Sequence, residues 1–215
     1  MFVIFANVIK GASSPLIHKL KNYSPGEARY SLKAQPCGRS QELNLKRRKL
    51  MKNIVLIGMP GSGKSTIGVV LAKTLASYFV DTDLIIQVQQ KNTLQRLIDD
   101  DGLDKFRVYE EDALLAVDGS DTVIATGGSA IFCEKGMAHL KENGICVYLD
   151  LPLCDLKKRL ANIKTRGIAM GKGKTIDDVY EERLPYYEKY ADITVRCAGK
   201  TVEEIVEIIA KAVEK

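Results

Sequence analysis

The chain has 215 residues, 46% hydrophobic and 27% charged, the make-up of one soluble domain with appendages. No apolar run reaches the ~18 residues that crossing a bilayer takes, and five cysteines without a C-x-x-C pair argue against a disulfide framework or a zinc cluster and fit a reducing compartment. The net charge of +5 is uneven: residues 1–50 hold ten Lys/Arg against Glu27 and Glu42, a net +8, which leaves −3 for 51–215 and takes away most of the support for nucleic-acid binding by the main body.

Residues 1–50 show no sustained period after Phe2-Val3-Ile4-Phe5 and contain the breaker clusters Ser13-Ser14-Pro15, Ser24-Pro25-Gly26 and Pro36-Cys37-Gly38. They read as a disordered basic extension. Three explanations compete. An organellar presequence fits the basic, acid-poor composition but lacks an amphipathic Arg-rich helix. A basic arm for anionic partners fits Lys46-Arg47-Arg48-Lys49. The third, favoured here, is a misassigned start: Arg47-Arg48 encoded AGG-AGG would form a bacterial ribosome-binding sequence just ahead of a true start at Met51.

The body, 51–215, opens with Lys52-Asn53-Ile54-Val55-Leu56-Ile57, the apolar run of a buried parallel strand. Gly58-Met59-Pro60-Gly61-Ser62-Gly63-Lys64-Ser65-Thr66 follows, a full G-x-x-x-x-G-K-[ST] match, and Ile67, Val70, Leu71 and Leu75 then recur at helical spacing. Strand, glycine loop and helix in that order cradle phosphates: the glycines let successive N–H groups turn inward, and the helix adds its positive end. Lys64 reaches the β- and γ-phosphates and Ser65 offers an oxygen to Mg²⁺, with Gly61, Ser62, Gly63 and Thr66 completing the nucleotide loop.

With only His18 and His139 present, acid–base chemistry falls to carboxylates or lysines. Tyr78-Phe79-Val80-Asp81-Thr82-Asp83 reads as a strand that places Asp81 and Asp83 on one side at its carboxyl end, where open α/β sheets bind ligands. One carboxylate suits the Mg²⁺ shell and the other a hydroxyl proton; a turn with Asp capping the next helix is the plainer alternative. In Phe106-Arg107-Val108-Tyr109-Glu110, Arg107 and Glu110 stand one turn apart. They form either a surface ion pair or a guanidinium fork oriented by Glu110 toward a carboxylate. Phe106, Ala113 and Leu114 are core candidates.

Thr122-Val123-Ile124-Ala125-Thr126 is a third strand run, followed by Gly127-Gly128-Ser129. Ile145–Asp150, with Pro152 opening the next helix, and Asp192–Arg196 supply two more strands, and Cys146 is a core residue. Thr201 caps a closing helix with Val202, Ile205, Ile208, Ile209 and Ala212 on its apolar face. The alternation predicts an α/β fold: three layers, a five-stranded parallel sheet with helices on both faces.

GMPGSGKST, the D-T-D after it, F-R-V-Y-E, A-T-G-G-S, R-G-I-A-M-G-K-G-K-T and E-R-L-P-Y-Y-E-K-Y-A-D, in this order, resemble the shikimate kinase family over essentially all of 51–215. The resemblance implies a P-loop kinase fold and ATP- and Mg²⁺-dependent phosphorylation of the shikimate 3-hydroxyl. It implies that Asp83, Arg107, Gly128 and Arg183 hold the acceptor, that Ser65 and Asp81 serve the metal, and that Arg159 lies against the adenine. Lys64, Asp83 and Arg166 would be catalytic, with Arg166 on a mobile lid at about 163–176 that Gly167, Gly171 and Gly173 make flexible. Arg159 on a solvated helix face and Arg183 paired at the surface with Glu181 or Glu182 are the ordinary alternatives.

Two departures touch the acceptor: Ser129 stands where the family usually has a third glycine, and Arg166 is followed by Gly167-Ile168-Ala169 rather than proline and leucines. A kinase of another small hydroxy acid such as gluconate, and a nucleotide-binding regulatory protein without catalysis, are the competing readings. The expected partner is a carboxylate-bearing polyol, with no nucleic acid and no membrane. A cytoplasmic monomer is expected, or an imported protein if 1–50 is a presequence.

Overall fold

The structure is a computed structural model and describes residues 52–161, 169–170 and 173–214. The expectations for the extension 1–50 and for Arg166, Gly167 and Gly171 lie outside the described residues.

The chain alternates strand and helix, as the patterning predicts. It runs β1 (Asn53–Ile57), α1 (Lys64–Leu75), β2 (Tyr78–Asp81), α2 (Thr82–Gln90), α3 (Leu94–Leu115, kinked at Gly102) and β3 (Thr122–Ala125). A short 3₁₀ turn (Ala130–Phe132) leads into α4 (Glu134–Glu142), β4 (Gly144–Asp150), α5 (Leu153–Ala161), α6 (Ile176–Tyr190), β5 (Ile193–Arg196) and α7 (Val202–Val213). All strand pairings are parallel, in the order β2-β3-β1-β4-β5, with Val55 opposite both Ile124 and Cys146. The five-stranded parallel sheet is the predicted one.

Strands covered on two faces must be apolar throughout, and β1 and β3 are buried at every residue. Helices α1 and α7 pack together over one face, α3 and α4 over the other. Phe106, Ala113, Leu114 and Cys146 are core residues, as the sequence implies. Thr201 caps α7 through a reciprocal bond with Glu204. On α7 the apolar face is rotated from the expected one: Val206 is buried and Ile208 is 39% exposed. Pro152 opens α5 as expected, standing just before Leu153 with its carbonyl accepting from the Asp155 and Leu156 amides. No described helix is long and apolar enough to cross a membrane.

The strand order reverses direction at β1. Chain leaves β1 toward β3 and β2 on one side, then returns to β4 and β5 on the other. The carboxyl ends of β1, β2 and β3 therefore open into one crevice, the place where open parallel sheets take ligands.

Candidate active site

A cavity of about 270 Å³ lies at these strand ends, with Lys64 and Ser65 on one wall and Asp83, Glu110, Gly128 and Arg183 on the other. The first wall is built from contiguous chain. Gly63 adopts φ 99°, a left-handed conformation that glycine takes without strain, and α1 starts there with no side chain capping its first amides. Those amides and the helix dipole offer a site for anionic oxygen. The Lys64 ammonium donates to the carbonyls of Gly58 (2.7 Å) and Met59 (2.9 Å), folding over the loop that it follows. Ser62 is buried, and its hydroxyl has no partner among the described residues. Thr66 is exposed and outside the lining of the cavity.

Helix α5 lies across this loop. Leu160 packs against Gly61, and Arg159 Nη1 donates long bonds to the carbonyls of Gly61 (3.3 Å) and Ser62 (3.4 Å). Arg159 is thus tied to the phosphate loop and not simply solvated.

The second wall gathers side chains from separate elements. Side-chain bonds lace the strand ends together: Thr126 Oγ1 donates to the Leu56 carbonyl (3.0 Å), and the Gly127 amide donates to Thr82 Oγ1 (3.1 Å). One expectation needs correcting here. The β2 strand does not persist to Asp83; it ends at Asp81, whose carboxylate accepts from the Asp83 amide (3.0 Å) and caps α2. Capping is the cheaper use of a carboxylate at a helix start, and it places Asp83 in the first turn of α2. Asp81 and Asp83 both still line the cavity.

A second correction concerns Glu110. It does not orient Arg107; among the described residues no ion pair links the two. Glu110 is 3% exposed, and the Ser129 hydroxyl lies 2.6 and 2.7 Å from its two carboxylate oxygens. Burial, with the neighbouring Asp83 charge adding to it, pushes the Glu110 carboxyl up to about 7, against the opposing Ser129 bond. The absence of a side chain at Gly127 makes room for this arrangement. A β-carbon there would sit 2.7 Å from Glu110 Oε1 and 2.9 Å from Asp83 Oδ1. At Gly128 it would meet Pro60 at 2.8 Å and Arg183 Nη1 at 3.0 Å.

Arg183 is the third correction, against the surface-pair alternative. It is 2% exposed; Nη2 donates to the Ala169 carbonyl (2.5 Å), while no described residue matches Nε and Nη1 in the hydrogen-bond geometry. A buried guanidinium with two unmatched nitrogens on a cavity wall is costly unless an anion satisfies it. Arg107, from α3, is exposed, and its guanidinium lies 5.5 Å from the centroid of the Phe132 ring. That of Arg183 lies 5.8 Å from the same ring. The two arginines thus converge on one aromatic side chain, beside a smaller cleft of about 120 Å³ that both line.

Two contributors escape a reading of the sequence. Phe132 carries no local signal, because its partners come from distant helices. Tyr187 lay inside the E-R-L-P-Y-Y run, its helical spacing from Arg183 the available cue. Its hydroxyl donates to the Gly128 carbonyl (2.6 Å) while its ring stacks on Tyr148 at 5.2 Å.

The family model for shikimate kinase matches residues 60–214 of this sequence. The chain belongs to the shikimate kinase family. Shikimate kinase 2 of Enterobacter sp. (strain 638) is 37% identical over 164 residues, 74% of this chain and 94% of that protein. Threonine synthase-like 1 of Homo sapiens is 35% identical over 167 residues, 76% of this chain; the chain spans only 22% of that relative's length. Among solved structures, shikimate kinase from Acinetobacter baumannii in complex with shikimate superposes with a TM-score of 0.70 at 28% identity, covering 76% of this chain and 93% of that one. The P-loop kinase fold expected of a shikimate kinase family member is therefore the fold observed.

Proposed function

We propose that this shikimate kinase family member transfers the γ-phosphoryl group of ATP to the 3-hydroxyl of shikimate. The observation that carries the reading is Arg183: a buried guanidinium whose Nε and Nη1 no described residue matches in the hydrogen-bond geometry, on the wall facing the phosphate loop across one cavity. A carboxylate matches a guanidinium in charge and planar shape. Shikimate offers a carboxylate at one end of its ring and hydroxyls at the other. Family membership and the shikimate-bound relative support the same acceptor.

In this reading the amides of Gly61–Thr66 and the start of α1 hold the triphosphate, and Lys64 leaves the loop carbonyls for the phosphates. Arg159, already against Gly61 and Ser62, flanks the adenine. Arg183 and Arg107 grip the acceptor carboxylate, Gly128 lets the ring approach its backbone, and Asp83 accepts the proton of the attacked hydroxyl. Arg166, outside the described residues, is assigned by the family pattern to the transferring group. Mg²⁺ fits the hard oxygens of Ser65 and Asp81 on the cavity wall. No cluster of three or more metal-ligating side chains occurs among the described residues, so phosphate oxygens and water would complete its shell. When bound, the ion supplies charge neutralisation between the phosphates. The reading includes a cytoplasmic location and a monomeric state, which cell fractionation and size-exclusion chromatography test.

The deciding assay is ADP release by the full chain with shikimate, gluconate and other hydroxy acids at equal concentration. Shikimate-dependent turnover well above the others is expected. Turnover with gluconate instead, or ATP binding without turnover for any acceptor, contradicts the proposal.

A further inference from the structure

The backbone on the second wall is held from behind. Gly128 and Ser129 line the cavity, whereas Tyr187 does not and is fully buried. Its ring is fixed against Tyr148, stacked at 5.2 Å with 12° between the planes, and its hydroxyl donates to the Gly128 carbonyl at 2.6 Å. Burial pushes the phenol's pKa upward against the pull of the Arg183 charge, so it remains a donor at neutral pH. Arg183 stands one turn earlier on the same face of α6, with Nη1 3.0 Å from the place a β-carbon on Gly128 would take. One phenol oxygen therefore adjoins both the glycine backbone and the guanidinium.

The Gly128–Ser129 peptide is trans, so its carbonyl and its N–H leave from opposite edges. With the carbonyl committed to Tyr187 behind the wall, the Ser129 amide points the other way. The preceding carbonyl, of Gly127, is taken up by the Ala130 amide (3.4 Å). Among the described residues no acceptor meets the Gly128 or the Ser129 amide. Two adjacent amides on a cavity wall call for oxygen, from water or from a ligand. The arrangement uses the backbone of Ser129 and not its hydroxyl, so a glycine there would serve equally.

We propose that Tyr187 is a positioning residue for the acceptor: its hydroxyl pins the Gly128 peptide with the Ser129 amide toward the cavity, beside Arg183, so that backbone and side-chain donors meet one acceptor together. The inference deepens the proposed function and rests on that reading for its kinetic arm. Tyr187→Phe keeps the ring and its stacking but strips the Gly128 carbonyl of its donor, which frees the peptide to turn.

The test uses the full chain and Tyr187→Phe. In ADP release the KM for shikimate should rise about tenfold, the scale of losing one well-aligned donor. The KM for ATP and kcat should stay within about twofold. An unchanged shikimate KM overturns the proposal, as does a joint loss of kcat, ATP affinity and thermal stability, which marks a purely structural role. An acceptor-independent arm follows the Gly128 carbonyl ¹³C and Ser129 amide ¹⁵N resonances in ligand-free protein. Both should shift in Tyr187→Phe by more than those of Gly61 and Gly63 on the opposite wall. Shifts no larger than these overturn the proposal whether or not shikimate is the acceptor, so its failure and that of the proposed function are told apart.

Discussion

The two walls of the cavity are made in opposite ways. The phosphate wall is one stretch of chain, Gly58 to Thr66, whose chemistry resides in backbone amides, a helix terminus and a single lysine. The proposed acceptor wall takes Asp83 from α2, Glu110 from α3, Gly128 and Ser129 from the end of β3, and Arg183 from α6, with Glu110 and Arg183 both charged and buried. Backbone amides at a helix start that lines a cavity can be matched by water or an anion. Buried side-chain charges need fixed partners, so the second wall is where single substitutions should redistribute bonding, and where the proposed function places specificity.

If the walls act separately, their loss should show in different constants. Lys64→Ala should lower kcat at least a hundredfold, the scale of removing one charge-stabilising donor, while calorimetric shikimate binding stays near wild type. A matching loss of shikimate binding would mean that the walls are not separable. Next, Arg183→Ala should raise the shikimate KM about a hundredfold, because it removes a desolvated partner of a carboxylate. Arg107→Ala, at an exposed residue, should raise it about tenfold or less. Equal effects would deny Arg183 its special place, and a loss of ATP affinity in either would move both residues to the other wall.

The smallest effect is on stability. Glu110 has its carboxyl raised from 4.5 to about 7 in the folded chain. The folded state therefore binds the proton more tightly than the unfolded state, and the stability this confers is full below pH 4.5 and lost as pH rises through about 7. Between pH 5 and 8 the Tm of the wild type should fall by a few degrees more than that of Glu110→Gln. A parallel Tm–pH profile in the two proteins would show that Glu110 is not in the buried setting described.

The same contrast governs what the sequence reveals. The strands, the phosphate loop and the capped closing helix are legible because their signals are local: apolar runs, fixed glycine spacing, Thr201 ahead of Glu204. The acceptor wall is legible only through the whole set of family motifs, since no spacing in the chain links Asp83 to Arg183. The strand-borne carboxylate pair is the instructive miss, because alternation places Asp81 and Asp83 together whereas helix capping by Asp81 wins at the strand end. Helical spacing assigns Glu110 to Arg107, but its partner is Ser129, 19 positions away. Phe132, which both arginines flank, leaves no mark in sequence at all.

The most direct measurement compares kcat/KM for shikimate with that for its carboxamide, in the wild type and in Arg183→Lys. With a buried guanidinium gripping the acid, the wild type should prefer shikimate at least a hundredfold, and Arg183→Lys, which lacks the planar fork, should lose most of that preference. Equal rates for acid and amide in the wild type would contradict the account, because Arg183 would then not be holding a carboxylate.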